Sequence, residues 1–423
     1  MLKKVVKTII IILILTILVS LNEQMLPQRK ELTDIAVVRI KGLDKVGDEA
    51  VISAVSIDTQ GGGQSSSNSG DGESGGNNSV IISKGSSFKI AEKNAQAYTD
   101  KAIDAGHLRY TFVGEETAKT DFNAPISYVA TNEEIRLSTK VYVIKGYTAE
   151  EFLKKVINNK YDISEKLRNI TENNKQLGLT TDIDLKDIMS RIEADINKGI
   201  VPVLELQAEE VISQGENSSS DGSSNSSDSN SSSSSNNKQN QNINFNLGGY
   251  AVFKDLKLVG YLTQEQSIGY NFIKNYIQSI ALTVKSLSNK SLEIGLTEAN
   301  TDIEFEFDGD SVKKIKIKVM AKANLEETDL VNKYFTPEER ENLEKQIKNQ
   351  IKGNIISAIN VAKELDVDYL NLTEDVLSKK HPYKYKKIKD NIKNIWKEVD
   401  TEVEVEAEIE RDYDVFNLTE NER

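Results

Sequence analysis

Residues 35–57 read IAVVRIKGLDKVGDEAVISAVSI, two runs rich in Ile, Val and Ala on either side of a polar stretch with two glycines. Apolar runs of this length that are bounded by Gly and Asp are typical of paired β-strands. The sequence therefore predicts a β-hairpin, with strands over 35–40 and 50–57 and a turn over 42–47 that contains Asp44.

The region after the hairpin alternates between strand and helix patterns. Residues 60–79 are mostly Gly, Ser and Asn, with two glutamines and two acids, so they cannot bury apolar area. We expect a disordered insert between paired strands. The apolar spacing predicts a helix over 87–105 that ends at Gly106. Strands over 80–84, 107–114 and 139–144 and a short helix from Glu115 complete an N-terminal α/β domain, which we place at 28–146.

A second α/β domain is predicted over 147–280. It contains helices over 148–157, 185–197 and 264–277 and a strand over 202–211. Residues 214–242 are a Ser/Asn-rich tract without an apolar residue, which predicts a second disordered insert. Residues 249–253 and 258–262 are two short apolar runs around a three-residue turn, which is a hairpin pattern.

The remaining residues, 281–423, are predicted to form a third domain with an antiparallel sheet and helices. Its clearest helix covers 337–364, with Thr336 as the N-cap and Pro337 in the first turn. Residues 397–411 alternate between apolar residues and five glutamates, which indicates a strand with one buried and one solvated face. We predict further strands over 281–287, 292–296, 303–307 and 312–323 and helices within 376–395 that break at His381.

Residues 3–21 predict an N-terminal membrane-anchoring helix. Three lysines precede an uncharged run of Ile, Leu and Val that just approaches the length of a membrane span. The lysines should stay in the cytoplasm, which leaves the rest of the chain beyond the membrane. Small residues for signal cleavage are missing apart from Ser20, so a retained anchor is favoured over a removed signal peptide. Residues 1–27 are thus assigned to the anchor and a linker, and the fold class is α+β, with three mixed α/β domains containing antiparallel sheets.

Composition excludes several classes of function. The chain of 423 residues has no cysteine, which removes disulfides, thiolate metal sites, cysteine nucleophiles and a lipid anchor on cysteine. Its net charge of −13 argues against nucleic acid as the main partner. No phosphate-binding glycine loop is present. We therefore expect a non-catalytic protein without a cofactor or metal site.

Residues that could carry chemistry have simpler structural explanations. His107 and His381 are the only histidines, and a Ser-His-Asp arrangement would need one of them as its base. We expect structural roles for both, with His381 at a helix end. Asp366 and Asp368 could form an acid pair, but a helix-terminating turn is the simpler expectation. The glutamates of the last strand stand too far apart to converge on one calcium ion.

Four segments together resemble the Ger(x)C family, the C subunits of spore germinant receptors. Each segment is short, but all four occur in order at suitable spacing. They are QRKELTDIAVV over 28–38, GHLR over 106–109 with VGEE over 113–116, EIRLST over 134–139 with VIKG over 143–146, and AVFK over 251–254 with LVGYL over 258–262.

The resemblance implies a mixed α/β body on the outer face of the spore inner membrane. Such proteins act with a polytopic A subunit and a transporter-like B subunit in a complex that small nutrients trigger, and the family implies no catalysis. The chain departs from the family at 25–27, where Met-Leu-Pro replaces the usual lipobox cysteine. Within this family, Arg109 and Arg136 are candidates for partner contact, with bridging between strands as the structural alternative.

Two other functions stay open from the sequence. The chain could be a membrane-anchored extracellular solute-binding or scaffold protein unrelated to spores. It could also be an exported hydrolase, which would then depend on His107.

Overall fold

The computed structural model describes residues 7, 9–14, 16, 34–57, 78–157, 162–193, 198–208, 243–328, 336–389 and 397–411. The described residues of the predicted anchor are helical, and the rest of that prediction lies outside the described residues. Among the residues that the structure describes, no helix combines the length and the apolar character needed to cross a membrane. The predicted insert over 214–242 also lies outside them, as does 60–77 of the first insert.

The described chain forms two β-sheets and the helices that cover them. The strands are β1 Ile35–Val46, β2 Glu49–Ile57, β3 Asn78–Gly85, β4 Ala102–Asp104, β5 Tyr110–Gly114, β6 Lys140–Ile144, β7 Lys198–Ala208, β8 Ile243–Lys254, β9 Lys257–Tyr261, β10 Ile280–Lys285, β11 Ser291–Asp308, β12 Ser311–Thr328 and β13 Asp400–Arg411. The helices are α1 Phe88–Ala95, α2 Glu115–Asp121, α3 Asn123–Ala130, α4 Ala149–Val156, α5 Ile163–Gln176, α6 Leu185–Glu193, α7 Gln264–Ile273, α8 Pro337–Glu364, α9 Leu377–Lys380 and α10 Pro382–Ile388.

The first sheet has the strand order β3-β2-β1-β5-β6-β7-β8-β9, and β4 pairs with β1. Strands β1, β5, β6 and β7 run parallel, while the outer pairs are antiparallel. The prediction of antiparallel sheets is therefore wrong, because helices carry the chain from β5 to β6 and from β6 to β7 and return it in the same direction. This sheet contains strands from both 28–146 and 147–280, and the domain boundaries stay a prediction.

The central strands of this sheet are buried on both faces. Tyr110 and Phe112 of β5 enter one apolar cluster, together with Phe152 of α4. Val113 of the same strand enters the other cluster, which includes Ile126 of α3. Helices therefore cover both faces of β5 and β6, as parallel strands require.

The hairpin of β1 and β2 is confirmed, but its turn lies further along the chain than predicted. Pairing continues to Val46, which lies opposite Glu49, so Gly42 and Asp44 belong to β1. The turn itself contains Gly47, whose φ of +61° favours glycine. Gly42 and Asp44 are typical turn residues and favoured an earlier turn, but Asp44 is buried in the folded chain.

Two further predictions about helices differ from the structure. The helix predicted over 87–105 ends at Ala95, and β4 follows it. The side chain of Gln96 favours this early end, because it accepts a hydrogen bond from Ile103 N and donates one to Lys101 O. Helix α5 was not predicted, although Asp162 caps it by accepting a hydrogen bond from Ser164 N at 2.8 Å.

The second sheet has the order β10-β11-β12-β13. β12 and β13 are parallel and the other pairs antiparallel, so this sheet is mixed as well. The strands predicted over 292–296 and 303–307 are one strand, β11. The prediction for α8 is confirmed, and Thr336 Oγ1 accepts a hydrogen bond from Glu339 N at 3.1 Å.

Helix α8 lies against the apolar face of the second sheet and also contacts α7. Its buried residues include Ile347, Ile351 and Ile355, which share one apolar cluster with Ile317 of β12. The crossing with α7 is close, because a Cβ on Gly269 would lie 2.0 Å from Asn354 O. One continuous apolar core therefore joins the two sheets.

Candidate functional site

The two arginines predicted to contact a partner lie at the amino ends of neighbouring parallel strands. Arg109 directly precedes β5, and its carbonyl accepts a hydrogen bond from Lys140 N at 2.8 Å. Arg136 lies in the loop before β6, where its carbonyl accepts one from Thr139 N at 3.0 Å. The fold thus brings both residues to the same edge of the first sheet, and both are exposed.

The side chains of Arg109 and Arg136 make no hydrogen bond or ion pair with any residue that the structure describes. The structural alternative, in which an arginine side chain bridges strands, is therefore not realised within this part of the chain. Contact with a partner stays a prediction for both residues. We call the surface around them the arginine edge.

Other charges near the arginine edge are already neutralised. Arg39, whose carbonyl accepts a hydrogen bond from Arg109 N, pairs with Asp162 at 3.0 Å. Lys175 pairs with Asp182 at 3.2 Å, and Lys140 lies 3.8 Å from the same carboxylate. Among the described residues, Arg109 and Arg136 are therefore unpaired cations at this edge, with the exposed carboxylates of Glu133 and Glu134 nearby in the chain.

The histidines do not form a catalytic arrangement within the described residues. His107 is exposed two residues before Arg109 and has no side-chain hydrogen bond or ion pair to the described chain. The ring of His381 packs edge-on against Phe305 and Phe307, with centroid distances of 5.9 and 5.0 Å. Its position between α9 and α10 confirms the predicted helix-end role.

The acidic residues considered from the sequence have structural roles as well. Asp366 follows α8 with a φ of +53°, where its N–H donates to Lys363 O. Asp368 accepts hydrogen bonds from the N–H groups of Leu372 and Thr373, at 3.1 and 2.8 Å. The bond of Asp366 confirms the predicted helix-terminating turn, whereas Asp368 binds the first backbone N–H groups of the next helical turn, Leu372–Val376. Across the described ranges, no group of three or more His, Asp or Glu could hold a metal ion.

A buried lysine in β1 forms a polar cluster that sequence reasoning missed. Lys41 is 1% exposed, and its Nζ donates to Glu92 Oε1 and to the Tyr128 hydroxyl, at 2.8 Å each. Tyr128 and Asn132 both donate to the same Glu92 oxygen. Burial lowers the pKa of the Lys41 ammonium, and the Glu92 carboxylate opposes that change. The cluster ties α1 and α3 to β1, a structural role.

A buried carboxylate joins β1 to the amino end of α4. Asp44 is 2% exposed and accepts hydrogen bonds from Ala149 N and Glu150 N, both at 2.9 Å. Burial raises its pKa to about 6, while the two backbone donors act in the opposite direction. A Cβ on Gly114 would lie 2.1 Å from Asp44 Oδ1, so only glycine fits there.

One signal in the sequence could have placed Lys41 and Asp44 in a strand. The run over 50–57 has eight residues, and a partner strand over 35–40 would leave its first residues without backbone partners. Extending the first strand through Asp44 gives these residues backbone hydrogen-bond partners. Burial of a charged residue cannot be inferred from such a count, because it depends on the helices that cover the sheet.

Comparisons with known proteins identify the family. Residues 28–206 match the family described as Spore germination protein N-terminal domain, and residues 248–413 match Spore germination B3/GerAC like, C-terminal. A solved structure described as the crystal structure of the GerBC protein is similar in fold, with a TM-score of 0.50 and 12% identity. That match covers 88% of this chain and 97% of the other. No curated protein matches the chain.

The resemblance predicted from four short segments is thereby confirmed. The two matching family models occur in order and together span most of the 423 residues. The chain belongs to the GerAC-like family of spore germination proteins.

Proposed function

We propose that this protein is the non-catalytic C subunit of a nutrient germinant receptor and is required for spore germination. The observation that carries the proposal is the ordered match of both GerAC-like domains, over 28–206 and 248–413. The buried polar clusters around Lys41 and Asp44 support a non-catalytic role for these residues, because their hydrogen bonds tie elements of the fold together.

The proposed location is the outer face of the spore inner membrane. The basic and apolar pattern over 3–21 supports an anchor whose lysines face the cytoplasm. The chain has no cysteine for the lipobox route of lipid attachment, so the proposal assigns any membrane anchor to the N-terminal segment. Recovery of the protein from the cytosol of vegetative cells would contradict this location.

The proposed partners are the A and B membrane subunits of the receptor. The arginine edge supports a contact with one of them, because two exposed guanidinium groups can form two-pronged hydrogen bonds with carboxylates. The partner surface should then present Asp or Glu side chains to Arg109 and Arg136.

Deletion of the gene tests the function. We expect the mutant spores to lose their response to one class of nutrient, while the cortex-degrading enzymes stay active when released by other means. Normal germination of these spores with every nutrient would contradict the proposal. Expression confined to growing cells, with binding of a solute by the isolated protein, would instead support the anchored solute-binding alternative.

Charge reversal tests the arginine edge. The double variant Arg109→Glu and Arg136→Glu should release the A or B subunit when the membrane-extracted protein is pulled down from spores. Lys93→Glu is a matched control, because Lys93 is also an exposed cation on the first sheet's helices but lies on α1. If both variants retain the other subunits equally, the arginine edge is not the contact.

A further inference from the structure

The outer edge of β13 has an unusual arrangement of backbone groups. Ile409 N donates to Glu344 Oε1 at 3.2 Å, and Ile409 O accepts a hydrogen bond from Arg340 at 2.6 Å. Both partners belong to α8, so the backbone groups of Ile409 point away from β12. In a β-strand the N–H and C=O of one residue point to the same neighbouring strand, and those of the next residue point to the opposite side. The backbone N–H and C=O groups of Val403, Val405 and Ala407 therefore also point away from β12.

The two ends of this edge are closed and its middle is open. Arg340 and Glu344 occupy the backbone of Ile409, and Lys363 Nζ donates to Val399 O at 2.8 Å. Between them, the outward N–H and C=O groups of residues 401–407 have no backbone partner in the described chain. An unpaired stretch of this kind is a template for another strand.

A groove of about 720 Å³ runs beside the open stretch. One wall is β13 itself, and the other consists of Lys348, Lys352 and Ile356 of α8 with Asn349. The groove is long enough to follow seven residues of the strand, from Asp400 to Glu406. Its shape and its free backbone groups suit an extended chain better than a compact small molecule.

The solvent face of the second sheet determines which charge an added strand should carry. Lysines of β12 pair with acids on both neighbouring strands, as Lys316 does with Glu306 at 2.7 Å and Lys322 with Glu410 at 2.8 Å. Alternate residues of β12 on this face are lysines, at 314, 316, 318 and 322, except at Met320. Met320 is 61% exposed and lies opposite Glu406 of β13. Glu404 and Glu408 lie opposite Lys318 and Lys322, but those lysines form their ion pairs with Glu304 and with Glu298 and Glu410. Glu404, Glu406 and Glu408 thus form no ion pair within 4.0 Å among the described residues.

These glutamates also exclude one occupant. If a second copy of the chain paired through the same edge, its glutamates would lie directly opposite Glu404, Glu406 and Glu408, and like charges in such pairs destabilise a sheet. A strand that carries Lys or Arg at alternate positions would place opposite charges there instead. Its intervening side chains would face the groove wall of α8.

We propose that the outer edge of β13 binds an extended basic segment of a partner protein, which adds a fifth strand to the second sheet. Backbone hydrogen bonds to Val403, Val405 and Ala407 hold the segment, and Lys or Arg side chains at alternate positions pair with Glu404, Glu406 and Glu408. This edge lies within the described residues, and its backbone groups and charges do not depend on whether the protein is a receptor subunit.

Binding of synthetic peptides to the full chain in detergent tests this edge. One labelled peptide of twelve residues alternates Lys with Val and Thr, and the control peptide has the same composition with its lysines in one block. Fluorescence anisotropy should show at least tenfold tighter binding of the alternating peptide, and added salt should weaken it. Equal binding of the two peptides would overturn the proposal, because charge alone would then account for it.

Val405→Pro tests the backbone contribution. The substitution removes an N–H that points away from β12. The N–H groups that bond to β12 belong to other residues and stay, so an edge strand can accept proline here. We expect at least a tenfold loss of affinity for the alternating peptide, whereas the matched control Val405→Thr should bind like the unaltered protein. Replacing Glu404, Glu406 and Glu408 by Gln should weaken binding by about tenfold, from three cross-strand pairs.

Hydrogen exchange supplies a measurement that does not depend on a variant. The alternating peptide should slow exchange of the amides of Val403, Val405 and Ala407, with little change in the first sheet. Protection elsewhere, or none, would show that the peptide does not bind at this edge and would overturn the proposal.

Discussion

The two sheets differ in how many of their faces are covered. In the first sheet every residue of β5 is buried, because helices lie on both sides. In the second sheet β10 alternates between buried and exposed residues, because α8 covers one face and the other meets solvent. A sheet covered on both faces leaves only its ends and loops for partners. A sheet covered on one face also offers a surface and a free edge.

Charged residues follow the same division. In the first sheet Lys41 and Asp44 are buried, and each has specific hydrogen-bond partners. In the second sheet Lys316 and Lys318 form exposed pairs with acids of β11. Isolated buried charges are costly unless they are paired, whereas exposed pairs contribute little to stability. The first arrangement therefore holds neighbouring elements together through specific hydrogen bonds, and the second sets the surface charge.

Substitutions at neighbouring strand positions should show the largest difference between the sheets. In β5, Phe112→Ala should lower the free energy of unfolding by about 4 kcal/mol and Val113→Ala by about 2 kcal/mol, since both side chains are buried. In β12, Ile317→Ala should cost about 3 kcal/mol, while Lys318→Gln should leave urea unfolding unchanged. If Val113→Ala left the free energy of unfolding unchanged, helices would not cover both faces of the first sheet.

The crossing of α7 and α8 should show the next largest effect. Gly269→Ala places a methyl group 2.0 Å from the backbone oxygen of Asn354, so the helices must separate. We expect a loss of about 2 to 3 kcal/mol in the free energy of unfolding. Gly353→Ala is the matched control on α8, because nothing lies within 4 Å of its new Cβ. It should stabilise the protein by about 0.5 to 1 kcal/mol.

A loss of similar size in both glycine variants would contradict the close helix crossing. Two separate unfolding transitions in Gly269→Ala, against one in the unaltered protein, would show that this crossing couples the two sheets.

A smaller effect should appear in the pH dependence of stability. The pKa of Asp44 is raised from 3.8 to about 6, so the folded protein binds this proton more tightly than the unfolded chain does. Stability from this group is therefore gained as the pH falls through 6 and lost as it rises. Between about pH 7 and about pH 5 the gain should be about 1 kcal/mol.

Asp44→Asn isolates this contribution, because asparagine does not titrate. The difference in unfolding free energy between the variant and the unaltered protein should shrink above pH 6, where the buried charge is costly, and widen below it. A difference that does not change with pH would show that the pKa of Asp44 is not raised.

Local sequence patterns predicted several elements closely. The helix over 337–364 follows from Thr336, Pro337 and the apolar spacing behind them, because capping acts over one helical turn. The hairpin over 249–262 follows from two apolar runs and a short turn, which the structure completes with positive φ at Asp255 and Leu256. By contrast, the prediction of a turn over 42–47 is wrong. A charged residue in a buried strand resembles a turn residue in the sequence, because its buried partners are not known.

The arginine edge shows the same limit for the candidate site. Arg109 and Arg136 could be selected from the family-like segments, but the number of residues between them does not predict their distance in space. Only the parallel pairing of β5 with β6 brings them to one edge of the sheet. The free backbone of β13 was likewise unpredictable, because alternation identifies a strand's faces and says nothing about its neighbours.

The sequence by itself determined the family, the strands and helices with strong local signals, the solvated face of the last strand and the absence of cysteine chemistry. Tertiary structure alone decided the strand order, the mixed direction of both sheets and the burial of Lys41 and Asp44. The reason is that local periodicity reports which face of an element is apolar. Pairs such as Lys314 and Glu402, 3.0 Å apart but 88 residues apart in the chain, depend on how the whole chain returns to the sheet.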